Sequence, residues 1–166
     1  MANYVPDGIE KIERSQNLTY LDTTPATSSP TWAVLGVGIT DYSISYNPQV
    51  DTEKWIIEDN ARNDHTSNQK QGSVEQKMYK EDPCFEFAYS CRDKLNCKTH
   101  ILDIDMWNGT GTGTISYPAK YSDAKLVVTE VLGENASLSY DLYYEGDVTE
   151  GSVTFTNGVP TFVANI

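Results

Sequence analysis

Few residues in this chain of 166 could carry chemistry. The two histidines are His65, inside a polar run, and His100, at the entrance to an expected strand. No serine nucleophile elbow, paired-histidine zinc helix or phosphate-cradling glycine loop accompanies them. Cys84, Cys91, Cys97 and His100 come nearest to a zinc set, but the close CxxC pair of structural zinc is missing. Cys84 and Cys91 fall on one apolar helical face, where cysteine behaves as a small hydrophobe. Three cysteines cannot all pair within one chain, and free thiols are the expectation. The acidic pairs Asp51/Glu53 and Asp103/Asp105 could be imagined as a carboxylate dyad or as calcium ligands. Without EF-hand glycine spacing they read as solvent-facing strand positions. Residues 109–114 alternate glycine and threonine but lack the lysine and following helix of a phosphate loop, so they read as a hairpin connection. No catalytic, metal or cofactor centre is expected, and the chain reads as a non-enzyme.

The elements that would position any such residues are mostly strands. Residues 40–47 alternate, with Tyr42, Ile44 and Tyr46 on the face expected to be buried and Asp41, Ser43, Ser45 and Asn47 on a polar face. Residues 126–132 are rich in β-branched side chains and 138–144 alternate again. Gly133, Glu134 and Asn135 between them predict a hairpin turn. Asn157-Gly158 predicts a two-residue turn and a closing hairpin, because both positions favour positive φ. Asp82 as N-cap and Pro83 at the first helical position begin a helix. Its stripe of Cys84, Phe87, Ala88, Cys91 and Leu95 predicts about three turns packed on the sheet. Short strands are expected around Trp55 and over 72–79, and residues 58–72, with one apolar side chain, read as a long mobile loop.

Composition points to one folded domain over residues 1–166, with 39% hydrophobic and 22% charged residues. Residues 1–26 lack the apolar core of a signal peptide and read as an extended arm of a chain made in the cytoplasm. No run is apolar enough to predict membrane insertion. Twelve basic against 24 acidic residues give a formal charge of -12, which argues against gripping nucleic acid by its phosphates. Such a balance suits a surface past which DNA slides, and ordinary solubility also accounts for it.

Three blocks carry a family resemblance. TWAVLGVGITDYSISYNP over 31–48 resembles the opening of siphophage major tail tube proteins, where an aromatic stretch ending in a glycine-containing GIT leads into an S-x-S strand. TEKWIIEDNA over 52–61 is similar to that family's Y-I-x-E-D-N-A element. MYKEDPCFEFAYSCRDKL over 78–95 resembles its Y-x-G-D-P-x-F-x-F helix entry, with Glu81 where glycine is usual. The blocks span about 31–95, and the rest matches only in its hairpin pattern.

The resemblance implies an antiparallel β-sandwich or barrel with one flanking helix, assembled as stacked hexameric rings into a hollow conduit for DNA ejection. It implies a lumen row of Asp41, Ser43, Ser45 and Asn47, with Ser73, Glu75 and Lys77 as a second row. Asp59, Asn60, Arg62, Asn63, Asp64 and His65 would form an inter-ring loop. Partners would be further copies of the chain, tape-measure, tail-terminator and baseplate or initiator proteins, and passing DNA; the place would be a virion tail assembled in a bacterial cytoplasm. The tube of a contractile tail or tail-like bacteriocin is a second reading. A carbohydrate-binding β-sandwich using Trp32, Trp55, Trp107 and the tyrosines is a third, of another class.

Overall fold

The computed structural model describes residues 8–133 and 135–165. The first seven residues of the expected arm and Glu134 of the expected turn lie outside the described residues. The chain is mainly β, a curled antiparallel sheet with a single α-helix, as expected for a sandwich or half-barrel. In chain order the elements are β1 (Asn17–Asp22), β2 (Trp32–Val34), β3 (Ile39–Ser45), β4 (Pro48–Glu53), β5 (Arg62–Asn68), β6 (Gln71–Lys77), α1 (Pro83–Ser90), β7 (Cys97–Asp105), β8 (Ser116–Val131), β9 (Ser137–Thr156) and β10 (Val159–Ala164). The main sheet runs β2-β1-β7-β8-β9-β6-β3, with β10 beside the second half of β9, while β4 and β5 form a separate hairpin.

Alternation sends neighbouring residues to opposite faces of the curled sheet. Leu21, Ile101, Leu126, Leu138, Tyr140 and Leu142 enter a core closed by Cys84 and Ala88 of α1. Tyr20, Leu102, Ile104 and Val153 enter a second core, which Tyr117, Phe155 and Phe162 help to cover. The expected hairpins of β8 with β9 and of β9 with β10 are both present, and Asn157 and Gly158 hold φ of 50° and 80° at the latter turn.

Several expectations need correction. Part of the expected arm is β1, paired with β2 and β7, because Leu18 to Asp22 carry enough apolar surface to be buried there. Trp55 is not in a strand but at the tip of the β4–β5 hairpin. Residues 58–72 are no mobile loop, since Arg62–Asn68 pairs with Pro48–Glu53. A two-stranded ladder satisfies its backbone groups without burying apolar side chains, so composition alone hides it. Thr52 Oγ1 also donates to Asn63 Oδ1 at 2.8 Å and Thr66 Oγ1 to the Gln49 carbonyl at 3.2 Å, adding polar cross-strand ties.

A further correction concerns the helix and the cysteines. Asp82 accepts hydrogen bonds from the Cys84 and Phe85 amides and Pro83 sits at the helix start, as expected. The helix stops at Ser90, and Leu95, expected on its packed stripe, is 95% exposed. The chain reverses through Asn96, at φ 54°, and a Cys91–Cys97 disulfide ties the return. Those two thiols are therefore bonded rather than free, and Cys84 alone is free and buried. Burial pushes the Cys84 thiol up to about 12, leaving it a packed hydrophobe at neutral pH.

Candidate assembly surfaces

Strand β3 is one edge of the main sheet, and among the described residues no other strand pairs with its outer side. Its alternation buries Tyr42, half-buries Ile44 and leaves Asp41, Ser43 and Ser45 exposed. On β6, Ser73, Glu75 and Lys77 are exposed between buried Gly72, Val74 and Gln76. The register joins these rows: Ser43 is opposite Ser73, and Ser73 is opposite Asp141 on β9, where the Ser73 hydroxyl donates to Asp141 Oδ1 at 2.7 Å. Glu75 faces Ser139 across the same ladder. Six of the seven residues expected on the lumen rows thus share one solvent-facing surface.

Asn47 departs from the row. It lies beyond β3 at φ 43° and its side-chain amide donates to the Gln69 carbonyl, which fastens the root of the hairpin. Tyr46, expected in the core, is 54% exposed and flanks Lys70, whose ammonium lies 3.9 Å from the Tyr144 ring centroid. Asp141 and Tyr143 extend the polar surface onto β9. Their place was signalled by the alternation of 138–144, in which they are the intervening residues.

Of the residues expected in the inter-ring loop, Asp59 and Asn60 lie in the turn region and Arg62, Asn63, Asp64 and His65 lie on β5. All are exposed. The tip is ordered by its own contacts: the Glu58 amide donates to the Trp55 carbonyl at 3.0 Å, Arg62 pairs with Glu58, and the Arg62 guanidinium covers the Trp55 ring at 4.4 Å. Ile56 and Ile57 stand outward, the former fully exposed.

The residues weighed for chemistry have other partners. His100 Nδ1 lies 2.8 Å from Asp22, which also accepts from the Thr24 and Thr31 amides, and its ring stacks on Tyr121. Asp103 is not simply solvent-facing: it accepts from Thr19 and Tyr144 and pairs with Lys70 at 3.5 Å. Tyr42 and Tyr144 share a hydroxyl contact of 3.1 Å, and burial drives both phenols above their ordinary value. Sequence pattern could not reveal this cluster, because its members come from five separate stretches. A second cluster lies under α1, where Gln76 donates to the Val37 carbonyl and to Asp82 and accepts from Tyr140. Both clusters fasten strands to one another and to the helix. No group of His, Cys, Asp and Glu among the described residues is arranged to hold a metal ion.

No protein-family model matches this chain, and no curated protein matches it.

Proposed function

We propose that this chain is a structural subunit that self-assembles into a hollow tube of the phage-tail type, through which DNA passes. One observation carries the reading: a polar row with Asp41, Glu75 and Asp141 lies beside the uncovered β3 edge, and the hairpin projects from the end of that same strand. Joining β3 to an edge of the next copy would satisfy the free amide and carbonyl groups that otherwise invite uncontrolled pairing. A ring so closed lines its channel with hydroxyls and with the carboxylates of Asp41, Glu75 and Asp141, which outnumber the one ammonium of Lys77 on the row. Such a surface repels phosphate instead of exchanging counterions with it, so DNA slides without being held.

The test is negative-stain electron microscopy of the protein concentrated to its solubility limit. Hollow tubes of uniform diameter are the expected result. A chain that stays monomeric there and binds glycans on an array would replace this reading with the carbohydrate-binding one.

A further inference from the structure

The hairpin tip presents apolar surface that, among the described residues, only the Arg62 guanidinium over one face of Trp55 partly covers. Trp55 is 52%, Ile56 102% and Ile57 85% exposed, and the Arg62 and Glu58 contacts hold the tip in this outward shape. Three adjacent large apolar residues exposed at the tip of a projecting hairpin signal a docking element. Glu53, Glu58 and Asp59 outnumber Lys54 and Arg62 around them, so the flanks carry a small net negative charge.

A surface of opposite sign lies beside α1. There Pro25, Ala26, Phe87 and Leu95 provide the apolar lining of a groove of about 840 Å³, with Lys94 and Lys98 on its rim. No carboxylate lines it. In a chain with 24 acidic and 12 basic residues this is a local reversal of charge. Neither lysine ammonium is in an ion pair among the described residues. The disulfide fixes the segment that carries Lys94 and Leu95, so the groove is preformed. A second hollow, around Val34, Val37 and Tyr79, mixes Lys80 with Glu81 and Asp82 and offers a net-acidic tip no such attraction.

The hairpin leaves the sheet in the direction in which β7 runs, and the groove lies where β7 begins. Lys70, at the hairpin's root, meets Asp103 near the finish of β7, whereas the groove wraps Cys97 at the start of β7 and Thr23 just past the end of β1. One copy displaced along the strand direction therefore brings its tip toward the groove of the next. Such a contact joins two different surfaces and repeats without closing on itself, which is the geometry of a filament.

We propose that the Trp55-Ile56-Ile57 tip of one copy inserts into the Phe87/Leu95 groove of the copy stacked beyond it, with Lys94 and Lys98 facing Glu53 and Asp59. This rests on the tube reading and names the partner surface for the hairpin.

The experiment is sedimentation velocity on the full chain and two variants, Ile56→Asp and Leu95→Asp. Both residues are exposed, and circular dichroism checks that folding is unchanged. Each variant alone should raise the critical concentration for polymerisation at least about tenfold. Mixed, the intact groove of one and the intact tip of the other should form short stacks that do not elongate. Lys94→Glu with Lys98→Glu should block polymerisation, and Glu53→Lys with Asp59→Lys on the same chain should restore it. If the wild-type chain and Leu95→Asp form tubes equally well, the groove assignment falls while the tube reading stands. If association depends on Ile56 and Leu95 but yields no hollow tubes, the contact stands and the tube reading falls. A wild-type chain that does not associate at all overturns both.

Discussion

The core beneath α1 and the β4–β5 hairpin use the same backbone ladder for opposite ends. Under the helix, Tyr140, Gln76, Leu138 and Leu142 are fully buried, and the polar atoms of Tyr140 and Gln76 find partners. In the hairpin every residue of both strands is exposed, and its polar side chains tie neighbouring positions across the pair. Burial makes the first region the source of stability. The second is held in shape yet contributes little to the fold, so its residues are free to answer to something outside the chain. This division suits a subunit that must fold before it stacks.

Alkali should separate the two regions most strongly. Cys84, Tyr42, Tyr140 and Tyr144 are all raised by burial above ordinary values of 9.0 for the thiol and 10.0 for the phenols. These acids stay neutral in the folded state and ionise more readily when unfolded. Their contribution is complete below about pH 9 and is lost as pH climbs through the unfolded values toward the folded ones. Urea midpoints should hold steady to about pH 9 and then fall toward global unfolding by about pH 12. A midpoint unchanged across that range would show that these groups titrate normally.

At neutral pH, a matched pair of truncations tests the same contrast. Leu142→Ala removes a fully buried side chain and should cost about 3 kcal/mol through lost transfer and the cavity left behind. Ile56→Ala removes a similar volume from water-exposed surface and should change stability by less than about 0.5 kcal/mol. Equal effects in denaturant titration would mean that the hairpin tip folds back onto the domain. Between these lies Asp82→Ala, which removes the cap of α1 and leaves the buried Gln76 amide one acceptor short. The expected cost is about 2 kcal/mol. Asp82→Asn keeps a capping oxygen and should recover about half of it.

The contrast also explains what could be read from residue order. Strands β3, β6, β8 and β9 announce themselves because one face is buried, and period-two alternation records that burial. The same pattern places Ser43, Ser73 and Glu75 together on the polar side. The hairpin has no buried face, so its strands leave no periodic trace, and residues 62–68 look like a loop. Leu95 misleads for a different reason: it continues the helical spacing of Cys84, Phe87, Ala88 and Cys91, but the helix has already ended at Ser90. The Cys91–Cys97 bond could not be chosen from three cysteines, since the choice depends on the reversal at Asn96. The Asp103 cluster depends on contacts between distant strands, which no local pattern encodes.

The finest test concerns the joint between β6 and α1, where the well-packed region begins. Glu81 holds φ at 69°, in the left-handed region where a side chain crowds the backbone. Its amide donates to the Glu86 carboxylate at 3.2 Å, a contact made by the backbone and therefore kept by any residue except proline. Glu81→Gly relieves the crowding, which is worth about 1 kcal/mol. It also frees the unfolded chain, which opposes that gain by roughly half as much or a little more. The net effect should be a stabilisation of a few tenths of a kcal/mol, read as a small rise in melting temperature. The Glu81 side chain makes no contact that this exchange removes from the core, since the residue is exposed. Glu81→Ala keeps the crowding without the carboxylate and should give no gain. A glycine variant that melts below the alanine one would show that the side chain holds the helix entry, and that this joint belongs to the packed region as firmly as Asp82 does.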